Sequence, residues 1–260
     1  MTLLDTTLLT SLLQEQASDE EINKIIRDTK EKPNADWYGL SFTDPEIDKE
    51  CPNPGYMILK EKTFKSKKFN NKLVFALECY GEFFDECYIN YNLYYEAEKS
   101  YNFLESDYVV RNKKQVIAST NIYYDNQELI SNIFKDKNKT KINQGKISFS
   151  LNNFLAPEIW TNCQDRNVGD QKEFINFDHE NGLFEKETHE IIDIKNTFTK
   201  KRKNRLTKTL VHSIDKDSGE PTSFGALFNS KGELLKFTIP EMALVAKKVN
   251  KEKVLSNKIN

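Results

Sequence analysis

Three residues in the C-terminal third have types and spacing that suit metal-assisted phosphate chemistry: Asp178, Asp193 and Lys195. Phosphodiester hydrolysis calls for a divalent ion that polarises the phosphate and lowers the pKa of an attacking water. Magnesium takes oxygen ligands, commonly one or two carboxylates completed by water and substrate phosphate. A lysine beside the ion orients the water and offsets charge developing on the phosphate. Asp193 and Lys195 stand two apart in the apolar run Glu190–Lys195. Strand alternation puts Ile191, Asp193 and Lys195 on one face and Ile192 and Ile194 on the other. Charges on a buried strand are costly unless something uses them. The plain alternative is mutual neutralisation, or exposure at a sheet edge. Asp178 closes the preceding apolar run, fifteen residues before Asp193. If the two runs pair, both carboxylates converge near one point.

The order Asp178, a short loop, then Asp193-Ile194-Lys195 within Ile-Ile-Asp-Ile-Lys-Asn-Thr-Phe resembles the PD-(D/E)xK nuclease superfamily, which includes many restriction endonucleases. The resemblance spans some 20 residues and departs from the family where Phe177 stands in place of the usual proline. It implies a Mg²⁺-dependent DNA endonuclease of restriction type, with Asp178 and Asp193 holding the metal and Lys195 orienting the water. Beside the motif, Lys195, Lys200, Lys201, Arg202, Lys203, Arg205 and Lys208 place seven positive charges in fourteen residues, with no acid among them. Such clusters neutralise nucleic-acid phosphates and make binding strongly salt dependent. The expected phosphate contacts are Lys200, Lys201, Arg202, Lys203, Arg205 and Lys208, with DNA as partner; a solvated loop or a nuclear address accounts for the run equally well.

Two histidine sites compete with this reading. His179 beside Asp178 and Glu180, together with His189 beside Glu190, offers transition-metal ligands, or simply two turn histidines. His212 and Asp215, three apart, faintly resemble the His-x-x-Asp element of restriction DNA glycosylases, a remote alternative. Cys51, Cys79, Cys87 and Cys163 form no C-x-x-C pair and no spacing with histidine that frames zinc, so they read as free thiols in a reducing compartment.

The elements that must position these residues differ along the chain. Leu4, Leu8, Leu9, Leu12 and Leu13 recur at helical spacing, and Ser18 with Glu21 forms a capping box before Ile22, Ile25 and Ile26, closed by Pro33. From Trp37 the texture becomes β-rich, with expected strands Trp37–Phe42, Tyr56–Phe64, Lys72–Tyr80, Tyr88–Tyr95, Tyr108–Val110, Gln115–Tyr124 and Lys146–Leu151. Asn/Lys/Asp/Gly clusters such as Lys65–Asn71 and Lys135–Gly145 separate them. Tyr95–Leu104 and Asn126–Phe134 suit short helices. Glu173–Asp178 and Thr188–Lys195 flank Asn181-Gly182 as paired strands, and Phe224–Phe228 with Glu233–Ile239 makes a second pair. A closing helix is expected from Pro240 through Met242, Leu244, Val245 and Val249. The fold class is therefore β-rich α+β, mainly an antiparallel sheet with two N-terminal helices and a C-terminal helix. Residues 1–35 form a helical segment, 36–250 one main domain with its basic third at 173–250, and 251–260 a tail.

Nine of the eleven tyrosines lie between Tyr80 and Tyr124. Acids rather than lysines interleave with that run, which favours sheet packing or a protein interface over a base-stacking platform. A homodimer is one expectation, since two-fold proteins match palindromic duplexes. The runner-up function is a non-enzymatic sheet or barrel that binds a protein partner, small ligand or nucleic acid on its aromatic face. A third is an interaction protein whose basic segment holds nucleic acid without cutting it.

The 260 residues carry 38 bases and 40 acids, which excludes a uniformly basic coat protein or an acidic tail. The near balance hides a polarity: residues 195–260 hold 15 bases and 6 acids, and residues 1–194 hold 23 and 34. No run approaches the roughly 20 apolar residues of a membrane helix, and no basic region precedes the first leucines. The expected location is cytoplasmic, with no membrane partner.

Overall fold

The computed structural model describes residues 18–51, 54–84, 86–98, 101–113, 115–147, 150, 160–161, 165–178, 182–199, 202–214, 221–239, 243–252 and 254. One helix leads the described chain. Ser18 Oγ accepts from Glu21 N while the Glu21 carboxylate accepts from Ser18 N, so the capping box starts α1 (Asp19–Glu31) where expected. Ile22, Ile26 and Thr29 are its buried face, and Thr29 Oγ1 shares a 2.7 Å hydrogen bond with Thr63 Oγ1 on the sheet below. The leucine helix expected over residues 4–13 lies outside the described residues.

The sheet begins with β1 (Asn34–Phe42), is interrupted by a short helix α2 (Pro45–Glu50), and continues through β2 (Gly55–Ser66), β3 (Lys72–Phe83), β4 (Cys87–Glu96), β5 (Phe103–Asn112), β6 (Gln115–Asp125), β7 (Glu128–Lys135) and β8 (Asn138–Asn143). After residue 150 it resumes with β9 (Gln171–Asp178), β10 (Leu183–Thr199), β11 (Arg202–Ile214), β12 (Pro221–Phe228), β13 (Leu234–Ile239) and β14 (Leu244–Val249). All 14 strands form one antiparallel sheet in the order β8-β7-β6-β5-β4-β3-β2-β1-β14-β13-β12-β11-β10-β9. Two hairpin meanders thus run outward in opposite directions from the central β1–β14 pair. The ends of the sheet meet through the β9–β10 turn: Ser131 Oγ on β7 donates to the Gly182 carbonyl at 2.8 Å.

Successive residues alternate between two faces. The inner face carries α1 and a cluster of Ile22, Ile26, Phe75, Leu93, Tyr95, Phe103, Ile122 and Leu129. It continues with Tyr38, Leu40, Phe83, Leu244 and Ala246 across the centre, then Trp160, Phe174 and Ile191 near β9.

Several expected elements take another form. Tyr95–Leu104 spans the end of β4 and the start of β5, and Asn126–Phe134 is largely β7. Among the described residues of Lys146–Leu151, Ser150 forms an isolated bridge with Asn102, whereas β8 forms inside the supposed separator Lys135–Gly145. The expected C-terminal helix is β14: Leu244 and Ala246 are fully buried at alternate positions, which is the period of a strand, and the segment pairs with both β1 and β13. The long β11 replaces what reads in the sequence as a basic loop.

Candidate functional site

The structure does not gather the acidic pair. β9 and β10 do pair, but antiparallel, with Asp178 opposite Leu183. Asp193 lies ten residues further along β10, about 33 Å away at roughly 3.3 Å per residue. Asp178 is buried with 4% exposure, whereas the Asp193 and Lys195 side chains are 45% and 73% exposed and contact each other at 3.6 Å. Their outward placement has a local cause. The β10–β11 register jumps from Ile191↔Thr209 to Asp193↔Lys208, leaving Ile192 as the extra residue of a β-bulge. Alternation reverses there, so Ile191 and Ile194 both serve the core beside Trp160 and Phe174.

The basic run divides in the same way. Thr199 pairs with Arg202, so Lys200 and Lys201 fall in the connection, outside the described residues. Arg202 and Lys203 open β11; the segment from Lys195 to Leu206 extends past the pairing limits of β9 and β12 as a two-stranded ribbon. Arg205 turns inward, donating from Nη2 to the Arg166 carbonyl at 2.7 Å, while Lys208 is exposed on the outer face. The histidines also separate. His189 is buried against the Phe174 ring at 4.9 Å, and His212 meets Glu190 at 3.2 Å and Ser223 at 2.8 Å on the opposite face. His179 and Asp215 lie outside the described residues. Among the described residues, no three His, Cys, Asp or Glu side chains gather as metal ligands.

What the fold does assemble is an aromatic ladder on the outer face. Trp37, Tyr56, Tyr80 and Tyr88 come from the four neighbouring strands β1 to β4, each out of phase with the core residues of its own strand. Their ring centroids are 5.8, 6.0 and 6.5 Å apart in that order, with Trp37 and Tyr56 stacked at 18°. All four rings are half-buried. Burial, followed by a hydrogen bond to the Glu82 carboxylate, pushes the Tyr56 phenol up to about 12; burial and its charged neighbours do the same for Tyr80. Tyr56 and Tyr80 therefore stay neutral across the physiological range. Lys251 sits over the Trp37 ring at 5.7 Å.

Sequence reading placed the tyrosine run but not this ladder. Trp37 and Tyr56 precede the run, and only the strand register brings them beside Tyr80 and Tyr88. A recess of about 230 Å³ lined by Tyr108, Thr120 and Lys135 falls below the roughly 300–1,000 Å³ of ligand pockets, so the open face is the stronger candidate.

No family model matches the chain, and no curated protein matches it. Among solved structures, it is similar to a β-barrel-like protein of the domain of unknown function DUF1849 from Brucella abortus, with a TM-score of 0.53 and 10% sequence identity. The match covers 84% of this chain and 96% of the other. The fold is β-barrel-like. This overturns the resemblance to PD-(D/E)xK nucleases and the Mg²⁺-dependent endonuclease reading drawn from it. The physical reason is the register: an antiparallel hairpin holds Asp178 and Asp193 at distant positions, and the bulge turns Asp193-Ile194-Lys195 to solvent.

Proposed function

We propose that the chain is a non-enzymatic binding module whose outer sheet face, built around Trp37, Tyr56, Tyr80 and Tyr88, receives its partner. The observation that carries this reading is the ladder itself: four half-buried rings aligned on the face opposite the core, on strands paired on both sides within a large sheet. Aromatic rings with polar tips supply contact area at low conformational cost, which suits recognition surfaces. The β-barrel-like fold supports the same reading. No helix among the described residues is long and apolar enough to cross a membrane. Free thiols at Cys51, Cys79 and Cys87 support placing the module in a reducing compartment, the cytoplasm.

A thermal-shift panel tests the binding face. Single-stranded oligonucleotides, oligosaccharides, and acidic and basic peptides are offered to the wild type and to the double variant Tyr80→Ser/Tyr88→Ser. At about a hundred times its Kd, a ligand of the native state adds about 2.7 kcal/mol, which raises the Tm of a chain this size by roughly 5–10 °C. At least one class is expected to shift the wild type and leave the double variant unmoved. A panel in which every class leaves the wild type unshifted, or shifts both proteins equally, overturns the reading.

A further inference from the structure

The strand register continues the ladder into a row of lysines. Following residues directly opposite one another across the outer face, Lys208 on β11 faces Leu227, which faces Lys236, which faces Lys247, which faces Gly39 on β1, which faces Tyr56. Beyond Tyr56 the same row passes through Glu82 and Tyr88 to Arg111. Lys208, Lys236, Lys247 and Arg111 are all exposed, and among the described residues none of them makes an ion pair. Lys248, by contrast, points to the inner face, where Asp36 and Glu233 neutralise it.

Lys236 directly opposite Lys247 is a destabilising arrangement, since like charges across a ladder repel. The fold could relieve it with a single acid and does not. Gly39 lies between Lys247 and Tyr56 and leaves bare backbone on this face, about 10 Å wide from Lys247 to Tyr56 at ~4.8 Å per strand. Positive charge and stackable rings thus follow one another end to end along one track. Two acids stand in this row: Asp193, directly opposite Lys208 on β10 and held by Lys195 at 3.6 Å, and Glu82, which is buried with 8% exposure and accepts from the Tyr56 hydroxyl.

We propose that this track binds single-stranded nucleic acid, with Lys208, Lys236 and Lys247 contacting phosphates and Tyr56, Tyr80 and Tyr88 stacking bases. Two features of the track must be met by one occupant: the unpaired Lys236 and Lys247 call for a polyanion, and the aligned rings call for planar groups spaced along it. Single strands supply both, since every base offers a π-face while the phosphates follow the backbone. A duplex hides its bases in the stack, and a sulfated polysaccharide has charge without planar rings. The inference rests on the reading of the outer face as the binding face.

The test is fluorescence anisotropy of a labelled oligo-dT of about ten nucleotides, within the site sizes common for such surfaces. Heparin fragments serve as the ring-free polyanion. The wild type is expected to bind oligo-dT with a salt-dependent affinity. The triple variant Lys208→Gln/Lys236→Gln/Lys247→Gln should lower the log–log salt slope by about 2, from ~0.7 per phosphate contact. Tyr88→Ser should weaken binding about five-fold or more, and Tyr88→Phe should restore it, because the ring rather than the hydroxyl stacks. Heparin fragments binding as tightly as oligo-dT, with no response to Tyr88→Ser, would overturn the inference in favour of a general polyanion surface. Absence of oligo-dT binding, while another class in the thermal-shift panel acts through the ladder, would sink the inference and leave the binding-module reading standing. If nothing acts through the ladder, both fail.

Discussion

Gly182 sits where the two ends of the sheet meet, and its backbone has two requirements that together favour glycine. Its φ is +63°, and a Cβ built there would stand 2.8 Å from Ser131 Cβ and 3.2 Å from Ile133 Cδ1. The Gly182 carbonyl also accepts the Ser131 hydroxyl at 2.8 Å, so the turn cannot retreat without losing that bond. Gly182→Ala should therefore cost about 1–3 kcal/mol, from the left-handed backbone and the lost contact together. Urea unfolding measures this directly: the midpoint should fall while the slope stays constant. An unchanged midpoint would show that the β9–β10 turn does not help join the ends of the sheet. The adjoining β10–β11 hairpin shows how one residue decides chemistry, since Ile192, without a partner across the ladder, turns the Asp193–Lys195 pair outward.

At the scale of the element, that bulge makes a sharper forecast. Deleting Ile192 would join the inward Ile191 directly to the outward Asp193, so regular alternation would run through β10 with Asp193 and Lys195 still outside and Ile194 still beside Trp160 and Phe174. The deletion should therefore cost about 1 kcal/mol or less, well short of the roughly 3–5 kcal/mol expected if the two charges were turned into that apolar cluster. Chemical denaturation reads the outcome, and a loss of about 3 kcal/mol or more would mean that Ile192 is not the extra residue that sets the two faces of β10. The bulge also marks where the sequence ceases to be legible. α1 is readable because Ser18 and Glu21 form a capping box, and β1 to β4 because their apolar and aromatic residues cluster between polar turns. β11 is not, because Lys200–Lys208 masks the inward alternation of Thr207, Thr209 and Val211, all nearly or fully buried. β8 hides in Asn-Lys-Thr-Lys for the same reason. Pro240 before Leu244 and Val245 imitates a helix start, and only pairing with β1 decides for a strand. The ladder and lysine row were out of reach in kind rather than degree: Tyr56 and Lys247 are neighbours only because β14 docks on β1.

For the molecule as a whole, the abundance of tyrosine in one continuous sheet sets its limit in alkali. Burial raises the phenols of Tyr38, Tyr91 and Tyr95 well above the ordinary value, and those of Tyr56, Tyr80 and Tyr94 to about 12. The native state keeps these protons while the unfolded chain releases them near the ordinary tyrosine pKa of about 10. Below that pH both states are protonated and the stabilisation is fully present. From about pH 10 to 12 the unfolded chain binds fewer protons than the native one, so stability must fall as pH rises. These rings occupy β1 to β4, where Tyr91 and Tyr95 pack at the cluster beneath α1 and Tyr56 and Tyr80 line the opposite face. Their ionisation should therefore not proceed ring by ring with the sheet intact. The expected result is a urea midpoint that is flat from neutrality to about pH 10 and then declines, with phenolate absorbance rising in step with loss of the β-sheet circular dichroism signal. Most phenols ionising near pH 10 under an undiminished sheet signal would mean that the rings are solvated, and would remove the rigid aromatic face on which the proposed binding depends.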